Sequence, residues 1–267
     1  MRADKYFAEK FGSRTKAAEA IEKGLVLVNG QPIKSKTEIS EEDEITFLKA
    51  EENFVSNGGY KLSKALKCFS FDCSGKVFAD IGASTGGFTD CLLQNGAKRV
   101  YAVDVGESLL HERIATNEKV IVMDNTNARY LTKADFKEDI DGIVTDVSFI
   151  SLKHIFPVIK EILSESGTAF VLIKPQFECE NKHIGKSGIV SMQYHVKIVE
   201  KVLKDLTESG LFPVAITNAP IRKGKNVEYV LSCSKVFGNV QKVLEDLKTL
   251  IKGLTEEKSE TTLRRKL

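Results

Sequence analysis

The chain has 267 residues, enough for one large domain and a small one. Apolar residues make up 42%, and 39 basic residues stand against 37 acidic ones, so overall charge favours no polyanionic partner and any basic surface has to be local. Five cysteines without a C-x-x-C pair argue against a disulfide framework or zinc ribbon, and no apolar leader or ~20-residue apolar run argues for secretion or a membrane span. A soluble cytoplasmic protein is expected.

Residues 1–50 have their own organisation. Asp4 to Lys10 is a helical stretch with Tyr6, Phe7 and Phe11 as apolar anchors. Ser13 is a suitable N-cap for a second helix through Ile21, and Gly24 supplies its stop. Leu25–Val28 reads as a strand, Asn29-Gly30 as a tight hairpin turn, Gln31-Pro32-Ile33 as the return and Ile45-Thr46-Phe47 as the last strand. Residues 1–36 carry eight Lys/Arg and four Asp/Glu, and residues 37–44 add five acids, so the module is bipolar. The pieces Arg2-x-Asp4-Lys5-Tyr6, Ser13-Arg14-Thr15-Lys16-Ala17 and Gly24-x-Val26-x-Val28-Asn29-Gly30 resemble the alpha-L, S-four type RNA-binding motif. That resemblance implies RNA contacts through Arg2, Lys5, Arg14 and Lys16. In the first turn of a helix, Arg14 and Lys16 can meet a phosphate together with free N–H groups. The alternative is a small structural cap with solvated charges. Residues 51–57 read as a polar linker.

From Gly58, strand and helix signals alternate, which predicts an α/β domain with a mostly parallel sheet covered on both faces. The strands are expected at Val77–Asp80, Val100–Val103, Val120–Met123, Gly142–Asp146, Ala169–Ile173, Phe212–Ile216 and Val227–Ser232. The helices are expected at Tyr60–Cys68, Phe88–Asn95, Leu152–Leu163 (with Pro157 marking a break or late start) and His195–Ser209. The domain is taken to span 58–252, with 253–267 a charged, mobile tail. Val240, Val243, Leu244, Leu247, Leu250 and Ile251 form a helical stripe suited to core packing. A polar residue stands at the end of each of the first five strands: Asp80, Asp104, Asp124, Asp146 and Lys174. In open α/β sheets that edge is where ligands bind.

Asp80-Ile81-Gly82-Ala83-Ser84-Thr85-Gly86-Gly87-Phe88 joins the first strand to its helix. Glycines there let the backbone approach a ligand and direct N–H groups at it. The spacing departs from G-x-G-x-x-G, because Ser84 occupies the second glycine position. D-x-G-x-x-x-G-G-F resembles instead the first motif of S-adenosylmethionine (SAM) methyltransferases of the FtsJ-like group. The resemblance implies a Rossmann-like sheet whose last strand is antiparallel. It also implies SAM held by Asp80, Gly82, Ala83, Ser84, Gly86, Gly87 and Phe88. Asp104, some 20 residues beyond the glycines, is placed to take ribose hydroxyls. Asp124 would lie near the adenine, though an Asx-turn explains it as simply.

Lys61, Asp146, Lys174 and Glu228 resemble that group's Lys-Asp-Lys-Glu set. The reaction implied is in-line attack of a ribose 2′-oxygen on the sulfonium methyl. A lysine can take the proton only when neutral, so its pKa has to fall from ~10.4 toward ~7–8. Lys174 is the expected acceptor, Lys61 and Glu228 orient the ribose, and Asp146 holds a lysine near the methyl. With Asp146-Val147-Ser148-Phe149-Ile150-Ser151-Leu152 and Lys174-Pro175-Gln176-Phe177-Glu178, the chain resembles the TlyA family. These are rRNA cytidine-2′-O-methyltransferases also labelled haemolysins. The family implies a 23S rRNA target, in some members 16S as well, on ribosomal subunits, and sensitivity to capreomycin-type antibiotics. The polar loop Phe177–Val190 follows Lys174, and Lys182, His183 and Lys186 there can meet phosphates or merely be solvated. The four histidines have no metal-ligand spacing. Competing readings are a non-catalytic RNA-binding or ribosome-assembly protein, a membrane-active haemolysin and a small-molecule methyltransferase.

Overall fold

The computed structural model describes residues 1–22, 24–40, 42–47, 53–185, 187–222 and 224–263. The chain divides into two compact units, Met1–Asn53 and Phe54–Leu267.

In the first unit, helices α1 (Ala3–Tyr6), α2 (Ala8–Phe11) and α3 (Arg14–Glu22) are followed by strands β1 (Val26–Val28), β2 (Gln31–Pro32) and β3 (Ile45–Phe47). The single helix expected over Asp4–Lys10 is instead broken at Phe7, whose side chain is buried in the core of the unit with Ala3, Ala17, Ile21, Val26, Val28 and Ile39. Ser13 Oγ accepts from Lys16 N at 3.2 Å, holding the start of α3. β1 is the central strand, antiparallel to both neighbours. Asn29 and Gly30 both have positive φ, the conformation that a two-residue turn between twisted strands demands.

The second unit begins with α4 (Asn57–Phe69), capped by Ser56, whose Oγ accepts from Gly58 N. There follow β4 (Val77–Ile81), α5 (Gly87–Gln94), β5 (Arg99–Val103), α6 (Glu112–Ala115), β6 (Val120–Met123), β7 (Ile140–Thr145), α7 (Phe156–Ile162), β8 (Leu163–Ile173), α8 (Pro175–Glu178), α9 (His195–Glu208), β9 (Phe212–Asn218), β10 (Tyr229–Ser234) and α10 (Val240–Leu263). Among the described residues these strands form one seven-stranded sheet, ordered β6-β5-β4-β7-β8-β10-β9. β6 to β8 are mutually parallel, and β10 runs antiparallel to both its neighbours.

Strand side chains alternate between two cores. Ala79, Ile81, Ile143, Val171, Ile173 and Leu231 face the layer that holds Ile159, Val199, Leu203 and Val243. Phe78, Val144, Phe170, Leu172 and Val230 face the layer with Leu62, Leu66, Phe88 and Leu92. This period of two, apolar on both sides, is what a sheet covered on both faces requires. The apolar stripe near the C-terminus packs as expected, with Val243 and Leu247 fully buried. The helix carrying it continues through Gly253, where the sequence suggests a tail, as far as Leu263.

Several boundaries moved. Pro157 sits in the first turn of α7, and a short 3-10 turn at Leu152–His154 precedes it. This is the late start expected of a proline without an N–H to donate. β8 starts at Leu163, six residues before its apolar run. Leu163 pairs with Ile140 of β7 and Thr168 with Gly142, and the polar residues 164–167 fall in the register shift between them. β10 begins at Tyr229 rather than Val227.

Gly142 of β7 lies opposite Phe78 of β4. A Cβ at Gly142 would fall within the Phe78 ring, 2.2 Å from Cε1. Overpacking of this kind costs typically ~1–3 kcal/mol. G142A is therefore expected to lower the unfolding free energy by about 1–3 kcal/mol, read as a lower urea midpoint with an unchanged m-value, and a midpoint equal to wild type would show that the ring yields freely.

Candidate active site

The C-terminal edge of the parallel strands carries the chemistry. β4 feeds into α5 through a tight turn. Gly82 (φ +84°) and Gly86 (φ +87°) adopt backbone conformations that side chains resist. They are also crowded, with Val147 3.1 Å from a Cβ built at Gly82 and Leu110 3.0 Å from one at Gly86. Ser84 shares the left-handed conformation (φ +48°) and is steadied by its N–H, which donates to Asp104 Oδ2 at 2.8 Å. Asp104 Oδ1 accepts from Gly106 N at 2.9 Å, so one carboxylate ties the glycine turn to the end of β5 and keeps lone pairs to spare.

Two adjoining cavities open at this edge. The larger, about 920 Å³, is lined by Gly82, Ser84, Asp104, Leu109, Asn127, Arg129 and the segment Asp146–Ser151. The smaller, about 210 Å³, is lined by Lys61, Gly82, Ala83, Ser84, Gly87, Phe88, Asp146, Ser148 and Lys174. Phe88 shows only its edge there, since it is 3% exposed and packs into the core. Asp124 does not line either cavity. Its carboxylate accepts from Ser108 N at 2.9 Å, and Thr126 to Arg129 take the wall position instead. The sequence has Asp80 at a strand end, but it lies inside β4 and is fully buried, because β4 runs one residue further to Ile81.

Lys61, Asp146 and Lys174 line the smaller cavity, and Glu228, which lines neither cavity, joins them through Lys61. Lys174 Nζ lies 2.6 Å from Asp146 Oδ1, Lys61 Nζ lies 3.2 Å from Asp146 Oδ2, and Lys61 Nζ lies 2.8 Å from Glu228 Oε2. The topology explains the meeting. Asp146 and Lys174 follow the last residues of the neighbouring parallel strands β7 and β8. Glu228 directly precedes the antiparallel β10, whose Tyr229 pairs with Ile173. Lys61 projects from the first turns of α4. Burial pulls the Lys61 pKa down, but the facing carboxylates of Asp146 and Glu228 outweigh it and leave it raised, so Lys61 stays charged at neutral pH.

Two residues given no role on sequence grounds hold the site in shape. Glu178, buried, accepts from Ser151 Oγ and Leu152 N, each at 2.8 Å, and so pins the loop after Asp146 to the helix after Lys174. Burial raises its pKa, against the opposing pull of those hydrogen bonds. Asp90, also buried, accepts from Val55 N at 2.8 Å and pairs with Arg113 at 2.6 Å, anchoring the chain just before α4. Asp90 closes the motif read from the sequence and takes Gln94 Nε2 one helical turn on, yet the two partners that anchor the chain are 35 and 23 residues away, beyond the reach of any local pattern.

In the small unit, Arg2 and Arg14 converge on the buried Asp4, at 2.8 and 3.0 Å. Hydrogen bonds from Arg2 and Arg14 keep the Asp4 carboxyl below its ordinary range against the effect of burial. Both guanidinium side chains remain accessible, as do Lys5 and Lys16. Lys182 is exposed and paired with Glu180 at 2.6 Å, and Lys186 lies outside the described residues. Among the described residues no acidic, histidine or cysteine cluster suits a metal ion, and no helix is long and apolar enough to cross a membrane.

A seven-stranded sheet with an antiparallel member, a glycine turn and a charged strand edge over a cavity define a Rossmann-like methyltransferase. A SAM-dependent methyltransferase from Mesorhizobium loti has the same fold at 15% identity (TM-score 0.50, covering 67% of this chain and 99% of that one). The chain belongs to the FtsJ-like methyltransferase family, whose pattern matches residues 54–236, and the S4 domain matches residues 1–45. It is 37% identical over 223 residues to the 16S/23S rRNA (cytidine-2′-O)-methyltransferase TlyA of Mycobacterium tuberculosis, spanning 82% of this chain and 83% of that protein. A solved Streptococcus thermophilus protein named as a hemolysin is 34% identical, with TM-score 0.72, covering 97% of this chain and 98% of that one.

Asp80 offers a test of the site's electrostatics. Its Oδ2 accepts from Thr89 Oγ1 at 2.6 Å, while Oδ1 is buried without a hydrogen-bond partner. Burial pushes its pKa up to about 7, with Asp146 and Asp104 adding to the shift and Thr89 opposing it. A carboxyl whose folded pKa exceeds its unfolded one contributes stability that is full below about pH 4 and lost as pH rises through about 7. Wild-type protein is thus expected to lose more stability between pH 5 and 8 than D80N, by urea unfolding at both pH values. Equal losses would place Asp80 outside this titration.

Proposed function

We propose that the chain transfers a methyl group from SAM to the 2′-hydroxyl of a cytidine ribose in rRNA, in 23S alone or in both 23S and 16S, on ribosomal subunits. The observation that carries this reading is the convergence of Lys61, Asp146, Lys174 and Glu228 beside the glycine-lined cavity. The residues suit the cofactor. Glycines crowd the turn where backbone must meet ligand, and the orphaned Oδ1 of Asp80 is a ready acceptor behind it. Gly82 to Phe88 and Asp80 would hold the amino-acid end, and Asp104 the ribose. Bound SAM supplies an electrophilic methyl on a positively charged sulfur.

The two lysines and two carboxylates balance one another, and the transfer requires one lysine to meet the substrate as a neutral amine. Lys61 is held charged between two carboxylates and suits orientation of the ribose together with Glu228. Lys174, more deeply enclosed, takes the proton as the new bond forms, and Asp146 stabilises the ammonium produced. Holding the reactants in line supplies much of the remaining rate. Arg2, Lys5, Arg14, Lys16, Lys182 and Lys186 are the proposed contacts to RNA phosphates.

Labelled methyl from SAM is expected to enter 23S rRNA of subunits from a strain lacking the modification, at one mapped cytidine. K174A should slow this by roughly 10²–10⁴ while still binding S-adenosylhomocysteine. No transfer by folded wild-type protein would favour the non-catalytic RNA-binding reading.

Lys5 and Lys16 are exposed and free of the Asp4 pair, so their removal leaves no buried charge stranded. The K5A/K16A variant is expected to bind subunits more weakly and with a salt slope shallower by about one to two units. A filter-binding series across salt that shows an unchanged slope would take these lysines off the interface.

A further inference from the structure

The geometry points to Ser148 as the group that takes the proton from the ribose hydroxyl and passes it to Lys174. This rests on the proposed reading that Lys174 is the final acceptor. Three acceptors surround Lys174 Nζ, and all come from one loop: Asp146 Oδ1 at 2.6 Å, Ser148 Oγ at 2.7 Å and the Asp146 carbonyl oxygen at 3.4 Å. Ser148 Oγ and the carbonyl accept hydrogen bonds from the amine, and Asp146 Oδ1 stands beside them as its ion-pair partner. A neutral amine has two N–H groups and one lone pair. Of its three partners, the carboxylate and the carbonyl can only accept, so Ser148 alone can donate a proton into that lone pair.

Position supports the same order. Lys174 is 7% exposed and lines only the smaller cavity, whereas Ser148 is exposed and lines both. Ser148 therefore stands between the larger cavity, where Asp104 would hold the cofactor, and the amine enclosed beside the smaller one. In the step, the ribose oxygen forms its bond to the methyl carbon as the sulfur–carbon bond breaks, and the sulfur keeps the electron pair. The ribose proton moves to Ser148 Oγ while the Ser148 proton moves to Lys174 Nζ. One positive charge leaves sulfur and one appears on nitrogen. Asp146, already 2.6 Å from Nζ, neutralises it.

The test compares wild type, S148A, S148T and K174A in single-turnover methylation of unmodified ribosomal subunits. S-adenosylhomocysteine affinity is measured by calorimetry, and the Lys174 Nζ resonance is followed by ¹⁵N NMR without ligand. S148A is expected to slow methyl transfer roughly 10- to 100-fold with cofactor-product affinity unchanged, and S148T to recover most of the rate. The Nζ resonance should move in S148A. The rate against deuterium fraction should be curved in wild type, with two protons in flight, and linear in S148A. An S148A rate within about twofold of wild type, an unmoved resonance or a curve that persists in S148A would overturn the relay. A fully active K174A would sink the Lys174 reading and the relay with it. An inactive K174A beside an unimpaired S148A would remove the relay alone.

Discussion

Asp146 is the constraint on which the site depends. Its two carboxylate oxygens face two lysines, one 85 residues earlier and one 28 later, and the earlier lysine reaches on to Glu228. Each of these charges is partly withdrawn from water, and none would be tolerated there alone. Paired, they neutralise one another and stay within reach of a substrate. The pairing holds only because β7 and β8 are parallel neighbours ending at one level while β10 runs the other way. Strand order, more than any single residue, makes the cluster possible.

A second set of contacts protects that arrangement. Glu178 fixes the loop carrying Asp146 and Ser148, Asp104 fixes the glycine turn, and Asp90 fixes the approach to α4 and hence Lys61. Each is a carboxylate accepting backbone N–H groups that would otherwise lack partners. Catalytic groups need placement to fractions of an ångström, and loops achieve it only when tied in this way. The methyltransferase and S4 regions of the chain are thus matched by two compact units, each with its own apolar core.

Much of this was legible in the residues. The glycine turn, the alternating strands and helices, and the Asn29-Gly30 hairpin follow local stereochemistry that a sequence displays directly. The errors share a cause as well. The polar half of β8 offers no apolar run, so the early start at Leu163, opposite Ile140 of β7, is not visible in the sequence. The break at Phe7 arises because that ring is drawn into a core assembled from β1, α3 and residue 39. Asp124, set near the adenine by family resemblance, lines neither cavity, and its Oδ2 accepts from Ser108 N.

The sequence by itself determined the fold class and the position of the glycine turn, because backbone preference and hydrophobic period act over a few neighbours, while the four charged residues were picked out by their resemblance to the FtsJ-like set. Only the tertiary structure decided which charge pairs with which, that Ser148 stands in front of an enclosed Lys174, and that Asp80 is buried with one oxygen unmatched. Those facts depend on solvent exclusion and on distances between segments far apart in the chain, and both exist only once the sheet has closed over its two cores.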